Sequence, residues 1–205
     1  MRTARNLGIV LALALVLAAG ALAGCGSPKS TASSSTPAKP AALTAKDAYT
    51  IALTAVATSA PDGKLLVCQA ADTITATSSP IWEYLIGSPK TNKVFAVLVQ
   101  NGKAQASEYG SAGLSPAEWS AIPSSDQWKI DSPEAHDIAL KVYPTGKDAA
   151  YFMGFVTYVP KSAAKNASPS MTWILSFDPK SLANSHATTS TVNVDMRTGT
   201  ATIPK

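Results

Sequence analysis

The sequence is short of the residues on which most site chemistry rests. Two cysteines and two histidines in 205 residues exclude a disulfide-stapled scaffold, a zinc finger and any Cys/His metal cluster. Nothing marks a nucleophile, because no Gly-x-Ser-x-Gly elbow occurs. Gly146-Lys147 is followed by Asp148 and lacks the upstream glycine of a phosphate-binding loop. Glu134, Asp137, Asp178 and Asp195 do not fall at metal-ligand spacing, so no catalytic residue, metal or cofactor is expected. Charged residues amount to 15% against 46% hydrophobic, which is enough apolar material for a core and excludes global disorder. Beyond the N-terminus no stretch approaches the roughly 20 apolar residues of a spanning helix.

The N-terminus is different in kind. Arg2 and Arg5 precede a nearly continuous apolar run from Leu7 to Ala23 that ends in small residues, the order of a secretory signal. Leu22-Ala23-Gly24-Cys25 resembles the lipobox of bacterial lipoproteins. The resemblance implies acylation of the Cys25 thiol, cleavage before it, and a mature chain that begins at Cys25. Two or more acyl chains hold a protein stably on a membrane surface. The expected location is therefore extracytoplasmic, anchored to the cell membrane, or to the outer membrane in a two-membrane envelope. Loss of Arg2 and Arg5 lowers the formal charge from +4 to +2, which leaves little basis for nucleic-acid binding. Cys68 is then without a partner and reads as a small buried hydrophobe in Lys64-Leu65-Leu66-Val67-Cys68. Residues 26–42, rich in Ser, Pro, Ala and Thr, have the composition of a solvated tether.

The remainder reads as one design written twice. Thr44 with Asp47 makes a helix start, and Ala48, Ile51, Ala52 and Ala55 form a helical stripe that ends before Pro61-Asp62-Gly63. Ser132-Pro133 looks like the N-cap and N1 of a second helix with the stripe Ala135, Ile138, Ala139 and Val142. Both helices contain Ala-x-x-Ile-Ala-Leu, offset by 87 residues. Trp82 and Trp173 follow at an offset of 91, and the hairpin glycines Gly102 and Gly199 at 97. Each unit predicts a helix and four strands: about 64–70, 81–86, 93–100 and 103–107, then about 150–159, 171–177, 190–196 and 199–203. Between them Ser115-Pro116-Ala117-Glu118 predicts a capped short helix, and 128–130 a short strand. The expected fold class is α+β, with two repeated units, each one helix packed on a curved antiparallel sheet of about four strands. The divisions are 1–24 signal, 25–42 lipidated cysteine and linker, 43–112 first unit, 113–131 inter-unit segment and 132–205 second unit.

Trp128-Lys129-Ile130-Asp131-Ser132 leading into the second helix, together with Val192-Asn193-Val194-Asp195-Met196-Arg197-Thr198-Gly199-Thr200-Ala201, resembles a PepSY-type domain. The first unit is a more divergent version, with Asn101-Gly102 in place of Thr198-Gly199. The resemblance implies a cystatin-like α+β unit of secreted and membrane-anchored bacterial proteins, and partners such as a protease or another cell-envelope protein. It supplies no catalytic residue, and Asp195 and Gly199 read as turn chemistry.

The expected function is a non-enzymatic protein-binding or protease-modulating module. Two rivals stand beside it: a carrier of a small apolar ligand, with a pocket lined by Trp82, Tyr84 and Phe95 or by their counterparts in the second unit, and an enzyme on the same scaffold. Trp82 and Trp173 are expected in the core. Trp119 and Trp128 are the candidate interaction surface, between the units or with a partner. His136 and His186 are expected to be solvated.

Overall fold

A computed structural model describes residues 42–75, 80–157, 171–178 and 191–204, all within the compact unit Lys39–Lys205. The signal, Cys25 and its lipobox, most of the tether and His186 lie outside the described residues.

The fold is α+β. Helix α1 (Ala45–Val56) leads to strands β1 (Lys64–Ala70), β2 (Trp82–Ser88), β3 (Lys93–Gln100) and β4 (Lys103–Ser111). A connecting segment carries α2 (Pro116–Ala121) and a 3-10 turn at Ser125–Gln127. Helix α3 (Ser132–Val142) then leads to β5 (Tyr151–Val156), β6 (Thr172–Phe177), β7 (Thr191–Asp195) and β8 (Ala201–Thr202). The eight strands form one antiparallel sheet in the order β4-β3-β2-β1-β5-β6-β7-β8. They are joined in the middle where Val67, Cys68 and Gln69 pair with Val156, Phe155 and Gly154. Gly154 is required there, since a Cβ on it would stand 2.8 Å from the Cβ of Gln69 and 3.0 Å from the Cys68 carbonyl. A bulge between Leu65 and Val67 interrupts the pairing of β1 with β2. Thr157 meets the loosened backbone, its amide donating to Leu66 O at 2.9 Å and its hydroxyl to Leu65 O.

Helices α1 and α3 lie on the same face of this sheet, α1 over β2 to β4 and α3 over β6 to β8. Each begins on a side-chain cap. Thr44 Oγ1 accepts from the Asp47 amide at 3.2 Å, as expected. In α3 the cap is Asp131, not Ser132: Asp131 Oδ1 accepts from the Ser132 amide at 2.7 Å. The Ser132 hydroxyl is directed elsewhere. It accepts from the Ala45 amide of α1 at 2.9 Å, in a buried hydrogen bond, while Asp131 Oδ1 also accepts from the Lys46 amide at 3.1 Å. The start of α3 thus satisfies amides that the start of α1 would otherwise leave unpaired. The predicted stripes hold in part. Ala48, Ala52, Ala135 and Ala139 are fully buried, Ile51 and Ile138 half-buried, and Ala55 and Val142 exposed. Tyr49 and Val56 complete the buried face of α1. No strand forms at 128–130; instead the Lys129 and Ile130 amides both donate to the Met196 carbonyl, at 3.0 and 2.8 Å.

Between helices and sheet lies a single core with an aromatic centre. Trp82 and Trp173 are buried, as expected, with ring centroids 6.3 Å apart. Trp128 meets Phe155 edge-on at 5.0 Å and Trp173 at 5.8 Å, and Tyr49 of α1 at 6.0 Å. Each buried indole N–H finds a carbonyl: Trp82 donates to Leu43 O, and Trp173 and Trp128 both donate to Ile130 O, all at 2.9 Å.

The shared cap predicts an asymmetry. Asp131→Ala and Ser132→Ala are each expected to cost about 1–2 kcal/mol, because each strands an α1 amide as well as its own contacts. Thr44→Ala, whose bond is exposed, is expected to cost less. Urea unfolding of the three variants checks the order.

Candidate functional site

The alternation of the strands divides their side chains between two faces. One face, carrying Leu65, Cys68, Tyr84, Val97, Met153 and Leu175, is sealed by α1 and α3. On the other, the registers align Leu98, Glu83, Gln69, Gly154, Ile174 and Asn193 in one row from β3 to β7. Ala96, Leu85, Val67 and Val156 form the next row. One end of this second face is covered by α2. Ser115 and Glu118 form a reciprocal capping box that fixes the helix start, and Trp119 packs so closely on Gly87 that any side chain there would clash. Leu114, Trp119 and Ile122 make a small separate core with Leu66 and Ala112. Trp119 is held by its indole N–H, which donates to Asn92 Oδ1 at 3.1 Å, and by Lys64 Nζ, which donates to its carbonyl at 2.8 Å.

Over the rest of this face no described helix lies. Phe152 is 38% exposed, Val156 40% and Ile174 46%, and Val67, Leu85 and Leu98 are half-buried. Single exposed apolar residues are ordinary, but a contiguous strip framed by polar side chains marks a contact surface. The frame here is Gln105, Ser107, Ser176 and Asn193. The strip was readable from alternation: Ile174 stands between Trp173 and Leu175, so one of the two faces must carry it.

Of the two places expected for Trp119 and Trp128, contact with a partner is corrected: they are 5% and 2% exposed, so neither is offered to a partner. Trp128 fits the other expectation, since it packs between α1 and strands β5 and β6. Trp119 pins α2 to the sheet, and Trp128 fills the junction between Tyr49 on one side and Phe155 and Trp173 on the other. The pocket-lining set of the carrier reading, Trp82, Tyr84 and Phe95, is packed core. Two surface clefts, of about 370 and 460 Å³, instead flank α2; Trp119 and Asn92 line one, Lys64, Gln127 and Arg197 the other.

Several titratable groups sit in or against the core. Burial pushes the Cys68 thiol well above its ordinary value, which keeps it neutral and unreactive, in line with its reading as a buried hydrophobe. Burial also lifts Tyr49, to about 12. His136 is not solvated as expected. Its ring stacks on Tyr151 at 4.3 Å, and its buried Nε2 has no hydrogen-bond partner among the described residues. Burial lowers its pKa below 6.5, opposed by the charge of Asp137. Asp195 and Gly199 form a turn, as expected. Asp195 Oδ1 accepts from the Arg197 and Thr198 amides at 2.8 and 2.9 Å, and Gly199 has a left-handed φ of 71°. Among the described residues no group of His, Cys, Asp and Glu could hold a metal ion, and no helix is long and apolar enough to cross a membrane. No family model, curated protein or solved structure matches this chain.

The lowered pKa of His136 has a definite sign. The unfolded chain takes up a proton near pH 6.5 that the folded state resists, so stability falls as pH drops from 6.5 toward the native value. The Asp195 carboxyl, held below its ordinary 3.8 with the Thr198 and Arg197 amides bonded to it, loses its contribution at more acid pH. His136→Phe keeps the stack and removes the proton site, and is expected to abolish the loss between about pH 7.5 and about pH 5, read from urea midpoints.

Proposed function

We propose that the chain is a non-enzymatic, lipid-anchored protein-binding module of the bacterial cell envelope, built from two copies of a PepSY-like unit, and that it binds through the open face of the sheet. The observation that carries the binding reading is the uncovered strip of Leu98, Leu85, Val67, Val156, Ile174 and Phe152 on a rigid sheet whose other face is filled. The Cys25 lipobox and the tether behind it carry the location.

The duplication draws support from equivalent positions playing equivalent parts. Thr44 and Asp131 are both N-caps, 87 residues apart. Ala48, Ile51, Ala52 and Ala55 share their degrees of burial with Ala135, Ile138, Ala139 and Val142 at the same offset. Trp82 holds the carbonyl of Leu43 as Trp173 holds that of Ile130, the two residues just before those caps. Trp82, Tyr84 and Phe95, named for the carrier reading, are packed in the core, which favours the binding reading over it.

A photo-crosslinking side chain at Ile174 is expected to yield a discrete adduct with another envelope protein in living cells. The same group at Val142, equally exposed on α3, is expected to yield none. Equal adducts at both positions, or none at either, would count against the open face. Cys25→Ser is expected to move the chain from the membrane to the soluble fraction on cell fractionation.

A further inference from the structure

Glu83 stands in the open strip between Leu98 and Gln69, and among the described residues no cation pairs with it. Its Oε2 accepts a hydrogen bond from Gln69 Nε2 at 2.8 Å. Among the described residues the ion pair found is Lys93–Glu108, elsewhere on β3 and β4. The cross-strand neighbours of Glu83 are Leu98 and Gln69, and Leu85 follows it on the same face. Gly154 and Ile174 continue the row beyond Gln69. A surface that covers Leu98, Leu85 and Val67 must therefore cover Glu83 as well.

That geometry restricts what can dock. An ionised carboxylate taken from water against a purely apolar surface loses its hydration and gains nothing, which is strongly unfavourable. A partner that brings a cation regains that loss as a charge-assisted hydrogen bond strengthened by the dry surroundings. The carboxylate thus rejects wholly apolar partners as well as welcoming basic ones, and a difference of both kinds is what selectivity requires.

We infer that the partner of the open face presents a lysine or arginine flanked by apolar side chains, and that Glu83 reads that charge. The inference rests on the open-face binding proposed above and names the chemistry of its partner.

A phage-displayed library of random constrained loops, selected on the full chain, tests both. Enriched loops are expected to carry a lysine or arginine beside apolar residues. They should lose binding by roughly tenfold or more on Glu83→Gln, the size of a desolvated charge pair. Glu83→Gln preserves shape and a hydrogen-bonding partner for Gln69, so the fold is retained. Glu83→Lys is expected to turn the enrichment toward acidic loops. Loops that lose binding on Ile174→Asp or Phe152→Asp, yet lack a basic residue and ignore Glu83→Gln, would overturn the charge reading and leave the open face standing. Loops indifferent to Ile174→Asp and Phe152→Asp, or no enrichment at all, would overturn both.

Discussion

The structure depends on the meeting of two helix starts. The first amides of α1 have no partner within their own helix, and they find Ser132 and Asp131 at the start of α3. Around that contact the tryptophans close in. Trp82 fixes the chain entering α1, Trp173 and Trp128 fix the chain entering α3, and Trp128 lies against both Tyr49 and Phe155. Helix starts carry partial positive charge, so two of them side by side repel; the Asp131 carboxylate, bonded to amides of both, offsets that repulsion. The β1–β5 pairing joins the same parts of the chain a second time, through the sheet. The helices and the eight-stranded sheet thus share one core rather than dividing it.

With α1 and α3 committed to one face, α2 is the one helix among the described residues that lies on the other. Trp119 explains why α2 covers only the end of the face: its ring needs Gly87, its indole needs Asn92, and its carbonyl holds Lys64. The edges of the sheet are guarded differently. At one edge β4 is polar and broken by a register shift, with Glu108 paired to Lys93. At the other, β8 has two residues. Short, charged or bulged edges discourage strand addition, which leaves the open-face strip with Phe152, Val156 and Ile174 as the proposed contact surface.

Much of this was legible in the sequence, because it rests on local pattern. Thr44, the Ser115–Glu118 box, the Asn101-Gly102 turn and the alternation of β2, β3, β6 and β7 each announce an element from a few neighbouring residues. The errors came where a residue answers to something distant. Ser132 has the form of an N-cap but serves a helix 87 residues away. Trp119 and Trp128 sit in a polar connecting segment and look available, yet each is claimed by a sheet face that sequence spacing does not bring near. His136 occupies the position in α3 that Tyr49 occupies in α1, 87 residues earlier, and is drawn under the helix with it. The open strip was half visible: alternation requires that Ile174, Val156 and Leu85 face away from Trp173, Phe155 and Tyr84, but it does not say which face the helices choose.

The central claim is that the strip carrying Phe152, Val156 and Ile174, exposed among the described residues, is covered by a partner in the cell. Single cysteines at Ile174 and at Val142, reacted with a membrane-impermeant thiol reagent, compare the two faces directly, since Cys68 is buried and unreactive. In purified protein both positions should label alike. In intact cells the account predicts that Ile174→Cys is protected while Val142→Cys still labels. Equal labelling of the two in cells would contradict it.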